Sequence, residues 1–299
     1  MDVQFISRIP EDSDVPRHFY DIEAIWTGFR TCYSNKVDFN DAMPFTFEDF
    51  NNPDKADSVD KTVASLKDLY VKDYNTVRSK YLQISEKYNY PAPALTDVET
   101  AFDDMLKNMV NYRYAKGLNP KWYLKGFNTL WALNALKFIA PKLKMGHESP
   151  LEHSILTFKV QGCSRSLTHQ LVRHRLASYS QSSQRYISEN PDNLDFVIPA
   201  KVQENPEALK IVQEYLSGLP DCIKRLKSLG IKNEDIRCIY PNAITTDIQV
   251  SMNFRELRHF LLLRLSKHAQ DEIRYLAYII YVYLTESMPL IWTDLEFDA

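Results

Sequence analysis

The first half of the chain carries the apolar spacing of helices. Between residues 63 and 88, apolar side chains recur at steps of three or four, which forms one face of a helix of about seven turns. These side chains are Val63, Leu66, Tyr70, Tyr74, Val77, Tyr81, Ile84 and Tyr88. The YPAPAL sequence at 90–95 ends this helix, because proline lacks a backbone N–H and disfavours helix just before it. The same spacing predicts helices over 98–112 and about 126–144, and a short helix is expected over 22–34. We expect the segment 59–116 to be a helical hairpin that packs without carrying chemistry.

Strand patterns appear only in the second half of the chain. SILTFKVQG at 154–162 alternates apolar with polar residues and predicts a strand. DFVIPA at 195–200 predicts a second, brief strand that ends at Pro199. Helices with a few strands among them indicate an α+β protein that is mostly helical with a small central sheet.

Three further helices are predicted in this half. Ser164 is expected to begin a short helix that runs through Gln170 and Leu171 to the RHR sequence at 173–175, and 206–230 is predicted to be helical with an interruption at Gly218 to Pro220. Asn253, followed three residues later by Glu256, matches a capping box at the start of a helix. We expect this last helix to be continuous to about residue 286, before Pro289.

Composition excludes several classes of protein. The chain has 299 residues, a net charge of −3 and a sequence pI near 6.2, which argues against holding nucleic acid by bulk charge. Its four cysteines form no CxxC pair, so we expect neither a disulfide framework nor a zinc site. The longest apolar run, 275–284, is too short to span a bilayer, and the N-terminus has no apolar signal segment. A cytoplasmic protein without a membrane partner is therefore expected.

Two polar clusters lie around the predicted strand at 154–162. HESPLEH at 147–153 lacks the HExxH spacing of a zinc helix, so a hydrogen-bonding loop is favoured over a metal site and no metal is expected. Gln170 and the RHR sequence at 173–175 would share a helical face. The arginines could bind a phosphate through their planar forks or simply form a solvated basic helix end, and both interpretations stay open.

Two more clusters follow. Residues 178–185 offer hydroxyls, amides and an arginine, which could bind a base or a phosphate or lie in a solvated loop. Arg264 and His268 would share a face of the long helix, with Asn253 three turns earlier. Because Arg264 is surrounded by leucines, its guanidinium either reaches water or meets a buried anion. No motif for a catalytic nucleophile stands out, which favours chemistry carried by a cofactor.

These clusters resemble one known family. Arg173-His174-Arg175, seven residues and Ser183 look like the signature of flavin-dependent thymidylate synthases. HESPLEH, the segment 164–186, IRCIYP at 236–241 and the segment 253–274 are similar to further blocks of that family, in the same order.

The resemblance implies reductive methylation of dUMP to dTMP by a methyltransferase. It implies 5,10-methylenetetrahydrofolate as carbon donor, FAD as hydride carrier and NADPH as reductant, both the folate and NADPH being co-substrates. It also implies a homotetramer whose FAD sites combine several subunits, with no nucleic acid polymer as partner. We expect residues 1–299 to form a single domain with a helical insertion at about 38–118.

The resemblance also assigns site residues. Arg264 would be catalytic, lying against the uracil and favouring its ionised N3 form. Residues that would contact FAD are Ser149, Arg173, His174, Arg175, Asn253, Arg255, His259 and His268. Residues that would hold dUMP are Gln170, Arg173, Gln181, Ser182, Ser183, Gln184, Arg185, Arg264 and, from another subunit, Arg237.

Two alternatives stay open at this point. The RHR–Ser segment could bind a nucleotide or RNA without catalysis, although the acidic pI and the lack of interleaved basic patches oppose this interpretation. The chain could also be a family member that has lost activity and acts as a scaffold.

Overall fold

The computed structural model describes residues 1–6, 22, 24–26, 52–92, 97–100, 102–104, 120–186 and 190–297. Its strands are β1 (Asp2–Ile6), β2 (Ile155–Ser164), β3 (Ala177–Gln181) and β4 (Thr245–Asn253). Its helices are α1 (Ala56–Tyr88), α2 (Pro120–Lys144), α3 (Arg165–Leu171), α4 (Ala200–Gln203), α5 (Pro206–Ser217), α6 (Leu219–Ser228), α7 (Asn233–Ile236), α8 (Phe254–Arg264), α9 (Asp271–Ser287) and α10 (Pro289–Trp292). Short 3₁₀ helices lie at Pro53–Lys55, Ser149–His153, Pro191–Asn193 and Arg237–Ile239. Residues 22, 24–26, 98–100 and 102–104 are also helical, and the rest of the helices expected over 22–34 and 98–112 lies outside the described residues.

The mostly helical α+β fold expected from the sequence is confirmed. By its internal contacts the chain divides into two compact units. The first unit contains Met1–Ile6, Leu156–Met252 and His268–Leu276, and the second contains Ser7–Ile155, Asn253–Lys267 and Ala277–Ala299. The expectation of one domain with an insertion at about 38–118 stays a prediction. No helix of the described residues is long and apolar enough to cross a membrane.

A four-stranded antiparallel sheet forms the centre of the first unit, in the order β1-β2-β4-β3. Val3 lies opposite Val160, and Tyr179 lies opposite Val250. Alternate residues of β2 and β4 are buried, as expected for a sheet with one face on a core. The buried residues of this face are Leu156, Phe158, Val160, Ile248, Val250 and Met252. The strand predicted at 154–162 is confirmed, whereas β1, β3 and β4 were not predicted.

The second strand predicted in this unit, at 195–200, is wrong. Within the described residues, only one bridge forms there, between Phe196 and Ile244. The carbonyl of Ile198 accepts a hydrogen bond from the side-chain amide of Gln203 at 2.6 Å, and Pro199 has no N–H with which to continue a ladder. Phe196 packs instead beside the buried cluster of Leu219, Ile223 and Ile236. The interruption predicted near Gly218 is confirmed by the boundary between α5 and α6.

Helices α1, α2 and α10 pack on one another in the second unit. The predicted apolar face of α1 is confirmed, since Leu66, Val77 and Tyr81 are almost completely buried. α1 ends at Tyr88, where Asn89 takes a left-handed conformation (φ 53°) that terminates the helix just before Pro91. α2 begins at Pro120, earlier than predicted, because proline is well suited to the first turn of a helix.

The continuous helix expected from Asn253 to about residue 286 is wrong. α8 ends at Arg264, and α9 begins at Asp271. Arg274 of α9 folds back to donate to the carbonyl of Ala269, and its backbone N–H donates to the carbonyl of Gln270 at 3.0 Å. These bonds fix the start of a new helix. The predicted helical face shared by Arg264 and His268 therefore does not exist, because His268 lies between the two helices.

Candidate functional site

In the first unit, the RHR sequence follows helix α3 instead of continuing it. α3 ends at Leu171, so the helical face predicted for Gln170 and Arg173 is wrong. The hydroxyl of Tyr179 on β3 lies 2.8 Å from the carbonyl of Leu171 and 2.7 Å from that of His174. A phenol that bridges two carbonyls fixes the turn after the helix. The same turn buries His174 and leaves both arginines exposed.

The two exposed arginines of this turn are free to bind an anion. In the described part of the chain, the guanidinium groups of Arg173 and Arg175 make neither ion pairs nor hydrogen bonds. They follow the C-terminal end of α3, where the helix dipole favours positive charge. Their planar donors match the oxygens of a phosphate group.

Residues 178–181 do not form the solvated loop that was one of the two interpretations of 178–185, because Ala177–Gln181 pairs with β4, and residues 182–185 form the turn that follows. The side-chain amide of Gln181 donates to Thr168 Oγ1 at 3.0 Å and lies 3.4 Å from Thr246 Oγ1. The carbonyl of Ser182 accepts from Arg165 Nη2 at 2.8 Å. These contacts hold the end of β3 against the segment that begins α3.

The turn after β3 contains a buried donor without a partner. Ser183 Oγ lies 3.4 Å from the backbone N–H of Arg185, and Gln184 between them is only 8% exposed. The Nε2 atom of Gln184 has no hydrogen-bond partner among the described residues. Because an unpaired buried amide costs free energy, this donor points to a ligand that completes the turn.

Two of the arginines predicted to hold the substrate meet at one glutamate. Arg185 Nη2 lies 3.3 Å from Glu234 Oε2, and Arg237 Nε donates to the carbonyl of Glu234 at 3.1 Å. The structure therefore brings the IRCIYP segment to the end of the RHR–Ser segment within one chain. Both arginines remain exposed, and the prediction that Arg237 acts on another subunit's site is not tested by these contacts.

Glu272 is a site-building residue that sequence reasoning missed. Its carboxylate accepts from the backbone N–H of Ser164 at 2.8 Å and lies 2.5 Å from Ser164 Oγ, which in turn caps α3 by accepting from Leu167 N at 2.9 Å. Near the other end of α3, the side-chain amide of Gln170 donates to Gln270 Oε1 at 2.5 Å. No local pattern could reveal Glu272, because 108 positions separate it from Ser164. His268, predicted to contact the cofactor, is exposed in the same unit.

In the second unit, helix α8 lies against the 3₁₀ helix Ser149–His153. The predicted cap is confirmed, since Asn253 Oδ1 accepts from Glu256 N at 2.9 Å. The backbone N–H of Phe254 donates to the carbonyl of Ser154 at 2.9 Å. HESPLEH thus forms a short helix joined to the start of α8. The 3₁₀ helix that begins with Ser149, a predicted cofactor residue, therefore contacts α8, at whose start the predicted cofactor residues Asn253 and Arg255 lie.

Arg255 and His259 are exposed on α8. Arg255 Nη1 lies 2.5 Å from Glu152 Oε1, so Arg255, which was predicted to contact the cofactor, forms an ion pair with Glu152. Ser149 is exposed at the first position of the 3₁₀ helix.

Arg258 is the second residue that sequence reasoning missed. It is 4% exposed, and its guanidinium makes a two-point ion pair with Asp294 at 2.9 and 2.6 Å. Its Nε atom donates to Glu148 Oε1 at 2.9 Å, and Nη1 donates to the carbonyl of Ile291 at 2.5 Å. Burial by itself would lower the pKa of Arg258, but the hydrogen bonds and charges of Asp294 and Glu148 outweigh it and raise the pKa.

Arg264, the predicted catalytic residue, is half-buried at the end of α8. Burial lowers its pKa, although an arginine still keeps its charge at neutral pH. Burial also raises the pKa of Glu256, and the charge of His259 opposes that rise. A cation partly removed from water acts strongly on a neighbouring anion.

The fold is α+β. The guanidinium and amide groups described above are hydrogen-bond donors that suit a phosphate-bearing ligand. The chain belongs to the thymidylate synthase complementing protein family, whose sequence profile matches residues 95–290. This match confirms the resemblance seen in the sequence.

Curated relatives carry the name flavin-dependent thymidylate synthase. The chain is 43% identical over 160 residues to the protein of Thermococcus onnurineus (strain NA1). This alignment covers 53% of this chain and 65% of the relative. The chain is 45% identical over 160 residues to the protein of Thermococcus kodakarensis, with the same coverage. It is 42% identical over 148 residues to that of Geobacter sulfurreducens, covering 50% of this chain and 64% of the relative. The chain therefore spans just under two thirds of the length of these relatives.

Proposed function

We propose that this protein is a flavin-dependent thymidylate synthase that converts dUMP to dTMP by reductive methylation. In this proposal, 5,10-methylenetetrahydrofolate gives the carbon and NADPH is the reductant. FAD, when bound, supplies hydride transfer between the reductant and the nucleotide. The observation that carries the proposal is the family match over residues 95–290, together with relatives that bear this name.

The free donors of the first unit support a phosphate-bearing ligand. Arg173 and Arg175 have no side-chain partners among the described residues, and Gln184 keeps a buried N–H unsatisfied. We propose that the substrate is held by Gln170, Arg173, Gln181, Ser182, Ser183, Gln184, Arg185, Arg237 and Arg264. The side-chain amide of Gln181 already donates to Thr168. We therefore propose that Gln181 positions the backbone of β3 for the substrate, in addition to offering its own amide.

FAD also fits the chemistry of the residues proposed for it. The pyrophosphate of a dinucleotide needs cationic and hydroxyl donors, which Arg173, Arg175 and Ser149 provide. The full proposed set is Ser149, Arg173, His174, Arg175, Asn253, Arg255, His259 and His268. Asn253 already accepts a backbone N–H as a helix cap, so its amide N–H₂ is the group proposed for the cofactor.

Arg264 is proposed as the catalytic residue. Its guanidinium would lie against the uracil and stabilise negative charge at N3 and the adjoining oxygen, which increases the electron density at C5. The half-buried position and lowered pKa of Arg264 support this role, because a partly desolvated cation interacts more strongly with a developing anion. The homotetramer and the cytoplasmic location remain parts of the proposal.

The proposal is tested first with the Arg264→Ala variant. We expect purified wild-type protein to be yellow, with a bound-flavin spectrum, and the variant to lose dTMP formation while its thermal unfolding is unchanged. The matched control is Lys210→Ala, which removes one end of an exposed pair on α5 and should keep full activity. Full activity in the Arg264→Ala variant would refute the proposed role. A colourless protein that binds single-stranded RNA with a steep salt dependence would instead support the alternative without catalysis.

A further inference from the structure

The carboxyl-terminal segment Ile291–Leu295 is held from two directions in the second unit. From α8, Arg258 binds the carbonyl of Ile291 at 2.5 Å and the carboxylate of Asp294 at 2.9 and 2.6 Å. From α1, Lys80 Nζ donates to the carbonyls of Thr293 and Leu295 at 2.7 and 2.8 Å. The last carbonyls of a short helix such as α10 have no intrahelical donors, so cations are their natural partners.

An aromatic contact holds the same segment. The ring centroids of Trp292 and Phe254 are 5.5 Å apart, and just beyond the segment those of Phe297 and Tyr281 are 5.4 Å apart. Trp292 is fully buried. Phe254 is the first residue of α8, directly between Asn253 and Arg255, so the segment contacts the part of α8 to which cofactor roles are assigned.

Arg258 also contacts the HESPLEH sequence. Its Nε atom reaches Glu148, which immediately precedes Ser149 and the 3₁₀ helix. Three residues earlier on α8, Arg255 pairs with Glu152 at the other end of that 3₁₀ helix. In the Arg258–Glu148 pair the arginine is buried and the glutamate is partly exposed, whereas both members of the Arg255–Glu152 pair are exposed. The buried guanidinium of Arg258 therefore holds the start of the 3₁₀ helix, where Ser149 lies, against α8, which carries Arg255.

We propose that Arg258 is a positioning residue for the flavin site. Arg258 binds both Glu148 and the segment Ile291–Leu295, and Lys80 of α1 binds the same segment. Through these contacts Arg258 fixes the positions of Ser149 and Arg255. This inference rests on the proposed function, and it links Lys80 of α1, within the predicted insertion, to the flavin site. Arg258 touches neither substrate nor cofactor in this account, and it acts only through the groups that it holds.

The test compares the Arg258→Lys variant with a control of similar stability loss. Lysine keeps the charge but cannot reach Glu148, Ile291 and Asp294 at once, because it lacks the planar fork. The control is Leu66→Ala, a buried change on α1 about four turns from Lys80. FAD affinity and the visible circular dichroism of bound FAD are measured for both, well below their unfolding temperatures.

For Arg258→Lys, FAD affinity should fall about tenfold and the flavin dichroism should change, because supporting groups set the geometry of a site. In Leu66→Ala both should stay within about twofold of wild type, although its unfolding temperature falls. Asp294→Asn disturbs the same bonds from the other end and should behave like Arg258→Lys, which keeps the test decisive if Arg258→Lys fails to fold.

Two results would overturn the inference in distinguishable ways. If wild-type protein binds FAD and the Arg258→Lys and Asp294→Asn variants bind it like Leu66→Ala, the positioning role fails alone. If wild-type protein binds no FAD, the proposed function fails and the positioning role fails with it.

Discussion

Replacing Ser164 with alanine should destabilise the first unit far more than the loss of an ordinary helix cap. Ser164 is 2% exposed, and its hydroxyl has two tasks. It caps α3 by accepting from Leu167 N at 2.9 Å, and it lies 2.5 Å from the carboxylate of Glu272. Alanine removes both bonds and leaves one oxygen of a part-buried carboxylate without its donor.

The magnitude follows from these bonds. Loss of a serine cap costs about 1 kcal/mol. Loss of a hydrogen bond to a charged group costs about 1.5–3 kcal/mol. The backbone N–H of residue 164 can still reach Glu272, which keeps the sum near 3 kcal/mol. With an entropy of unfolding of about 2.1 cal/mol/K per residue, that corresponds to a fall of about 5 °C in the unfolding temperature of a chain of 299 residues.

The assay is thermal unfolding followed by circular dichroism, with hydrogen exchange of α3 as a local measure. The matched control is Asn205→Ala, which removes an exposed cap of α5 that has no carboxylate partner. We expect Asn205→Ala to lower the free energy of unfolding by only about 1 kcal/mol. The reasoning is refuted if Ser164→Ala is no more destabilising than Asn205→Ala, or if exchange in α3 is unchanged.

Two more predictions concern ionisable groups. Burial raises the pKa of Glu256 above 4.5, so its contribution to stability is present below the unfolded pKa and is lost as the pH rises through the folded pKa. The Glu256→Gln variant should therefore gain stability over wild type between pH 4 and pH 8 in unfolding experiments, and a pH-independent difference would contradict this. Burial, with a smaller contribution from Glu272, raises the pKa of the Cys163 thiol to about 12. In the native protein at pH 8, iodoacetamide should modify the exposed Cys222 and Cys238 but not Cys163, and equal labelling of all three would contradict the buried thiol.

Periodic patterns made the helices of the second unit predictable. The apolar face of α1 repeats over many turns, so chance matches are rare, and its end was marked by nearby prolines. The cap at Asn253 was also visible, because a cap is a short-range hydrogen bond between residues three positions apart.

The break between α8 and α9 could not be read from the sequence. Residues 265–270 contain no proline or glycine, and their leucine, lysine and alanine residues favour helix. The break depends on Arg274 folding back to Ala269, a tertiary contact that competes with local propensity. The strand β3 was missed for a similar reason, because its serines and glutamine have low strand propensity and only pairing with β4 stabilises them.

The candidate site shows the same division. Arginines, serines and amides of the RHR–Ser segment could be nominated from their chemistry and their resemblance to a family. The residues that position these side chains could not be predicted, because Glu272 and Arg258 bind partners that are far away in the sequence. Glu234, which contacts both Arg185 and Arg237, belongs to none of the motifs that the sequence analysis identified.

The most direct test of the proposed function is to measure dTMP formation by the wild-type protein. Purified protein is supplied with FAD, dUMP, 5,10-methylenetetrahydrofolate and NADPH, and dTMP is quantified alongside NADPH consumption. We predict that dTMP accumulates in step with NADPH oxidation and that omitting dUMP or the folate stops dTMP formation. A folded, flavin-loaded protein that forms no dTMP with all four components present would contradict the account.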